Sequence, residues 1–290
     1  MKEVIHIGFS KSASTFLQSL FEGNEELNFI YKSKRFSLLD EDTDMVDLSE
    51  SLTNLESDEH IILPSHNDHL NVRTTRLEDV KKILIRIYNH NPDAKIILVL
   101  RSQLGLIPSR YSQYIVSGGD KSITEFVSIL NGLEENEDDF QNYYFQIIKM
   151  MFEFFGRENT LILFFEEINS DRIGSIKKLS EFLNVSLVPK ESNILSRRKG
   201  LTKYGLRIIR FLNRFLVKNN ENYKGVLETR IPVFLYKNII RFVRLIDYFL
   251  PKKKENISAK EREYIIGKFK EDNHQLSEYL SKDIKPLGYL

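Results

Sequence analysis

The chain has no cysteine, no tryptophan, and only 13 glycines and 7 prolines in 290 residues. Without a thiol there is no disulfide, no thiolate metal site and no cysteine nucleophile. With six scattered histidines, a zinc site would have only imidazoles and carboxylates to draw on, so no metal is implied. So little Gly and Pro excludes collagen-like and low-complexity chains. No run of about 18 uncharged apolar residues occurs, the length a spanning helix needs. The opening MKEVIHIGFSKS lacks the apolar stretch of a secretory signal. A soluble, cytoplasmic chain is the expectation.

What is present is 41% hydrophobic and 29% charged residues, enough for one large core or two small ones. The net charge is only +1, but it is unevenly spread. Residues 40–59 carry nine acidic and no basic side chains, whereas residues 197–254 carry 16 Lys and Arg against three acids. Apolar, β-branched runs fall at Val4 to Gly8, His60 to Leu63, Lys95 to Leu100 and Thr160 to Phe164. None alternates, as in strands buried on both faces. Helical patterns lie between them at Ser14 to Phe21 and Leu77 to Asn89, and Ser122 to Glu125 reads as a capping box. Strands alternating with helices give an α/β fold: a mostly parallel central sheet flanked by helices, a three-layer sandwich like that of P-loop nucleotide-binding proteins, with a C-terminal helical elaboration. The expected division is a core over 1–200, a basic amphipathic helical subdomain over 201–256 and a C-terminal helix over 257–290 returning to the core. Ligands of such sheets sit beyond the carboxyl ends of the strands.

The run HIGFSKSASTFLQSLF reads strand, tight loop, helix, with Lys11 in the loop and Ser12, Ser14 and Thr15 at the helix start. Backbone N–H groups at a helix N-terminus, a lysine and hydroxyls make a cradle for phosphate or sulfate. The Walker pattern is missing, since Lys11 precedes Ser14 and Thr15 by three and four residues and no Gly stands directly before it. The next informative stretch, AKIILVLRSQLGLIPSRYSQYIVSGG, delivers Arg101 at a strand end and Ser109 eight residues later on a helix, a combination suited to gripping a phosphate monoester.

Together these segments resemble the sulfotransferases that use 3′-phosphoadenosine-5′-phosphosulfate (PAPS), whose first loop reads Pro-Lys-x-Gly-Thr-Thr and whose second begins with Arg and places a Ser eight residues on. Here the first loop is Ser10-Lys11-Ser12-Ala13-Ser14-Thr15. The resemblance extends through NTLILFFEEINSDRIGSIKKLSEFLNVSL and includes SNILSRRKG and KEDNHQLSEYL. It implies that Lys11 acts catalytically on the 5′-phosphosulfate, that Ser12, Ala13, Ser14 and Thr15 supply donors to the same group, and that Arg101 and Ser109 hold the 3′-phosphate. Arg198, Lys199 and Gly200 match an Arg-Lys-Gly element that closes over that phosphate. The implied product is adenosine 3′,5′-bisphosphate (PAP), formed without a metal. Ala13 departs from the family's glycine, adding a Cβ where a positive φ is disfavoured.

Sulfuryl transfer to a hydroxyl also needs a base. The stretch HIILPSHNDHL offers Ser65, His66, Asp68 and His69 on the loop expected after the strand at Leu63; His66 and His69 are the candidates, since imidazole titrates near working pH. Glu166 and Glu167 end a strand, where a carboxylate more often organises the following turn.

Residues 204–218 and 233–250 each read as a helix with one basic stripe and a wide apolar remainder. Such helices either pack as a hairpin on the main domain or meet a membrane surface or a second copy of the chain. No zinc finger, RRM signature or heptad supports nucleic-acid binding. The expected function is sulfuryl transfer from PAPS to a hydroxyl or amine of a carbohydrate or glycolipid, in the cytoplasm or at the inner face of a membrane. The alternatives are a catalytically silent nucleotide- or glycan-binding membrane adaptor and a P-loop small-molecule kinase.

Overall fold

The computed structural model describes residues 2–32, 35–36, 48–58, 65–67, 72–74, 77–133, 143–189, 200–218 and 229–289. Its centre is a five-stranded sheet in the order β2 (Leu27–Tyr31), β3 (Thr53–Ser57), β1 (Glu3–Gly8), β6 (Lys95–Leu100), β7 (Thr160–Phe164), with every pairing parallel. All six residues of β1 are buried, as a strand covered on both faces requires. Connections leave β1 first toward β2 and β3 and then cross to β6 and β7. The carboxyl end of β1 is therefore the topological switch point, where a crevice opens.

Side chains alternate between the two faces. Ile5, Ile7, Ile96, Leu98 and Leu100 face α2 (Leu77–His90) and α5 (Tyr144–Phe155), while Val4, Leu55, Ile97, Val99 and Leu163 face α1 (Ser14–Phe21) and α7 (Arg172–Leu183). Three layers result. The strands expected over Val4 to Gly8, Lys95 to Leu100 and Thr160 to Phe164 form. The one expected at His60 to Leu63 is displaced: the strand that pairs with β1 is Thr53–Ser57, and residues 59–64 lie outside the described residues. TNLES carries little apolar signal, yet all five residues are buried, because Asn54 accepts a hydrogen bond from Asn28 (2.8 Å) and Glu56 faces Arg35 (3.7 Å).

A second helical layer stands beyond the sheet. It comprises α3 (Gln103–Val116), α4 (Ile123–Leu133), α8 (Lys203–Asn213), α9 (Val233–Tyr248) and α10 (Ala259–Tyr279), sharing a core of Ile107, Tyr114, Phe126, Ile209, Ile240 and Phe269. The Ser122 capping box forms: Glu125 accepts from the Ser122 N–H and donates its own N–H to the Ser122 hydroxyl. Two buried polar joints fasten the helices. Asn213 donates to the carbonyls of Ile115 and Gly119 at the end of α3 and accepts from the Tyr236 hydroxyl. Asp247 of α9 caps the start of α8, accepting from the Thr202 N–H and hydroxyl and from the Gly205 N–H.

Helix α10 returns to the sheet side. Its Asp272 accepts the N–H groups of Tyr144 and Phe145 at 2.9 and 3.2 Å, capping α5. Beyond it, Lys282 pairs with Glu167 at 2.5 Å and Tyr289 sets its buried ring edge-on to Phe164.

Burial raises the Asp272 carboxyl to about 6, against 3.8 in an exposed aspartate. The folded state holds this proton after the unfolded chain has released it, so the stability it contributes is full below the lower value and lost as pH rises through the upper one. Urea denaturation between pH 4.5 and 7.5 should show the wild type losing about 2 kcal/mol more than Asp272→Asn over that interval. Parallel pH profiles for the two proteins would contradict this.

Candidate active site

The loop between β1 and α1 is wound tightly by two non-glycine residues in the left-handed region, Lys11 (φ 66°) and Ala13 (φ 65°), either side of the buried Ser12. Ser12 donates its N–H to the Phe9 carbonyl at 3.2 Å, and the Ser14 hydroxyl donates to the same carbonyl at 3.3 Å. Phe16 is the first residue of α1 whose N–H finds a carbonyl, that of Ala13. The N–H groups of Ser14 and Thr15 open from the end of the helix at the switch point, next to the Ser12 hydroxyl, which is buried without a partner. These are the donors of an anion site.

Arg101, at the carboxyl end of β6, lies against this loop. Its Nη1 donates to the Lys11 carbonyl at 2.7 Å, and its guanidinium sits 4.1 Å from the ring centre of Phe165. Its Nε is buried with no hydrogen-bond partner. Burial pulls the Arg101 pKa down and Glu166 offsets part of this; a guanidinium stays charged regardless. The backbone that carries it is held from both sides. Tyr144 donates its hydroxyl to the Arg101 carbonyl at 2.7 Å, and Glu166 accepts the Ser102 N–H at 3.0 Å. Burial raises the pKa of Glu166 against the pull of that hydrogen bond and of Arg101. Glu166 thus organises the turn at the strand end. Gly105 leaves the space this needs, since a Cβ there would stand 3.1 Å from the Ser102 hydroxyl and 3.3 Å from the Arg101 Nε.

The Lys11 ammonium is exposed and donates to Gln113 Oε1 at 2.7 Å; Gln113 in turn donates to the Ser117 hydroxyl. The loop N–H groups and Arg101, bonded to the Lys11 carbonyl, therefore stand together at the strand ends, with the Lys11 ammonium drawn aside to Gln113. Among the described residues no group of three or more His, Asp and Glu could hold a metal ion.

The structure brings Lys11, Ser12, Ala13, Ser14, Thr15 and Arg101 together. Ser109 stands two turns along α3, half-buried. Gly200 is exposed with open space around it, while Arg198 and Lys199 lie outside the described residues. His66 falls in β4 (Ser65–Asn67), paired antiparallel with β5 (Val72–Thr74) opposite Arg73, rather than on a loop after a sheet strand. The side chain of His66 and the whole of His69 are outside the described residues. Gln113, Tyr144 and Phe165 are missed by sequence reasoning, because each meets the site across 43 to 102 residues of chain or through packing that no local pattern encodes.

The model of the sulfotransferase domain matches residues 1–203, a span that holds the whole loop and Arg101. The chain belongs to the sulfotransferase family. Members of this family transfer a sulfuryl group, with PAPS as the usual donor. A crystal structure of a sulfotransferase from Alicyclobacillus acidocaldarius is similar over 99% of this chain and 98% of its own, with a TM-score of 0.57 at 14% identity, which establishes a shared fold. Mouse sulfotransferase SULT7A1, crystallised with PAP, gives a TM-score of 0.38 at 16% identity over 67% of this chain and 62% of its own. No curated protein sequence matches the chain. The sulfotransferase's own residues fit a phosphosulfate. The unpartnered Ser12 hydroxyl, the buried Arg101 Nε and the open first turn of α1 are donors awaiting an acceptor.

Ala13 adopts the left-handed conformation that its side chain opposes. Ala13→Gly should therefore raise stability by about 1 kcal/mol, less what glycine loses through the freedom of the unfolded chain. Thermal unfolding reads this directly, and a destabilised variant would refute it.

Proposed function

We propose that this sulfotransferase takes its sulfuryl group from PAPS and delivers it to a hydroxyl or amine of a carbohydrate or glycolipid, in the cytoplasm. The observation that carries the donor half is the joining of the Lys11 loop to Arg101 at the switch point. When bound, PAPS supplies a sulfuryl group whose bond to the 5′-phosphate oxygen breaks as the acceptor attacks in line. Ser12, Ala13, Ser14 and Thr15 hold the phosphosulfate through loop N–H groups and hydroxyls. Lys11 leaves Gln113 to meet the negative charge that grows on the bridging oxygen. Arg101 and Ser109 hold the 3′-phosphate, with Arg198, Lys199 and Gly200 closing over it, and no metal takes part. His66 and His69 are the candidates for removing the acceptor proton. The polar and acidic residues between 32 and 59 support a carbohydrate or glycolipid over a small phenol.

A silent adaptor would follow if Ala13 blocked the loop. The loop reaches its left-handed form with alanine in place and keeps the Lys11 ammonium exposed, which favours turnover.

Isothermal titration should show PAP binding with a Kd of micromolar order, adenosine 5′-phosphate binding at least about tenfold more weakly, and Arg101→Ala erasing that difference. With PAPS and a panel of glycan acceptors, Lys11→Ala should cut turnover by about 10²–10³-fold. Equal binding of the two nucleotides would overturn the donor assignment.

A further inference from the structure

The two basic helices bury only one face each. On α9 the residues Tyr236, Ile240, Val243 and Asp247 pack inward, and on α8 Leu206, Ile209 and Asn213 do so. The remainder is exposed and strongly apolar: Phe211 is 59% exposed, Phe234 62%, Phe242 63%, Leu245 66% and Phe249 84%. Between the helices runs an open groove of about 460 Å³, lined by Ile208, Leu212, Leu235, Ile239, Phe242 and Ile246. A soluble surface seldom leaves so many large apolar side chains together unless they meet something.

The charge beside this face indicates what it meets. Arg207 on α8 and Arg214 just past its end are exposed near Phe211 and Phe215, while Arg210 turns to the Tyr111 hydroxyl. Lys237, Arg241 and Arg244 recur at four and three residues along α9, next to Phe242, Leu245 and Phe249. Lys252, Lys253 and Lys254 follow directly and are exposed. Among the described residues from 203 to 254 the sole acid is Asp247, which is buried in capping α8. An apolar strip edged by cations matches a surface that is apolar a few ångströms down and anionic at its top. A second copy matches poorly, because two-fold pairing would set the arginine edges of both copies against each other.

We propose that the exposed face of α8 and α9 docks on an anionic lipid bilayer, with the phenylalanines entering the headgroup boundary and the Arg and Lys edges resting on lipid phosphates. The contact proposed is peripheral; no helix among the described residues is long and apolar enough to cross a membrane. The docking face is tied to the site: Asn213 holds the end of α3 two residues beyond Gln113, which touches Lys11. This deepens the glycolipid reading of the acceptor, but docking itself does not depend on it.

The test is flotation with vesicles of phosphatidylcholine alone and of phosphatidylcholine with phosphatidylglycerol, using the full chain. The expected result is binding to the anionic vesicles only, weakened by high salt. Phe242→Asp with Phe249→Asp should weaken it at least about tenfold. Replacing Arg207, Arg241 and Arg244 by Gln should weaken it about a hundredfold, at roughly fivefold per charge. PAP binding should be unchanged in both variants, which reports that they fold and keeps a failure of docking separate from a failure of the donor assignment. Absence of anionic-vesicle binding by a wild type that binds PAP would overturn the proposal. So would binding that both sets of substitutions leave intact, or a dimer in sedimentation that Phe242→Asp dissociates.

Discussion

The hydrogen bond from the Arg101 guanidinium to the Lys11 carbonyl joins two strand ends 90 residues apart and sets the shape of the site. Lys11 sits in a left-handed conformation that a non-glycine residue takes only when its surroundings hold it there. Arg101 does that holding, and is itself positioned by the ring of Phe165, by Tyr144 on its carbonyl and by Glu166 on the following N–H. A half-buried cation beside an anion site serves twice: it fixes the loop and it adds positive charge where dielectric screening is weaker than in water.

This arrangement depends on parts of the chain beyond the matched family domain. Tyr144 reaches the Arg101 carbonyl from the first turn of α5, and that turn is capped by Asp272 of α10. Glu167, adjacent to Glu166, is paired with Lys282, and Tyr289 packs against Tyr144 and Phe164. The C-terminal helix is thus a brace for the strand ends that carry the chemistry. Buried polar joints of this kind specify position sharply, because any misplacement leaves a group without its partner.

Legibility from the sequence followed burial. β1, β6 and β7 are continuous apolar runs and were readable as such. β3 was not: TNLES hides polar side chains whose partners, Asn28 and Arg35, lie far along the chain, and the more apolar His60 to Leu63 carries the stronger strand signal. β2 is a half-exposed edge strand with a weak signal. The setting of His66 is hidden for the same reason: it belongs to a small antiparallel pair rather than to a loop after a sheet strand. Lys11 and Arg101 were legible because each follows an apolar strand directly, and a strand end is a place that the sequence marks.

By itself the sequence determined the alternation of strand and helix, the basic loop after the first strand, the arginine after the third apolar run and the amphipathic character of the C-terminal helices. These are local matters of period, cap and charge, carried by residues a few positions apart. Only the tertiary structure decided that Arg101 grips the Lys11 carbonyl, that Gln113 holds the Lys11 ammonium, and that α8 and α9 turn one face to the core and leave the other uncovered. Those depend on which strands become neighbours and how buried polar groups find partners across tens of residues, and no spacing along the chain records such a choice.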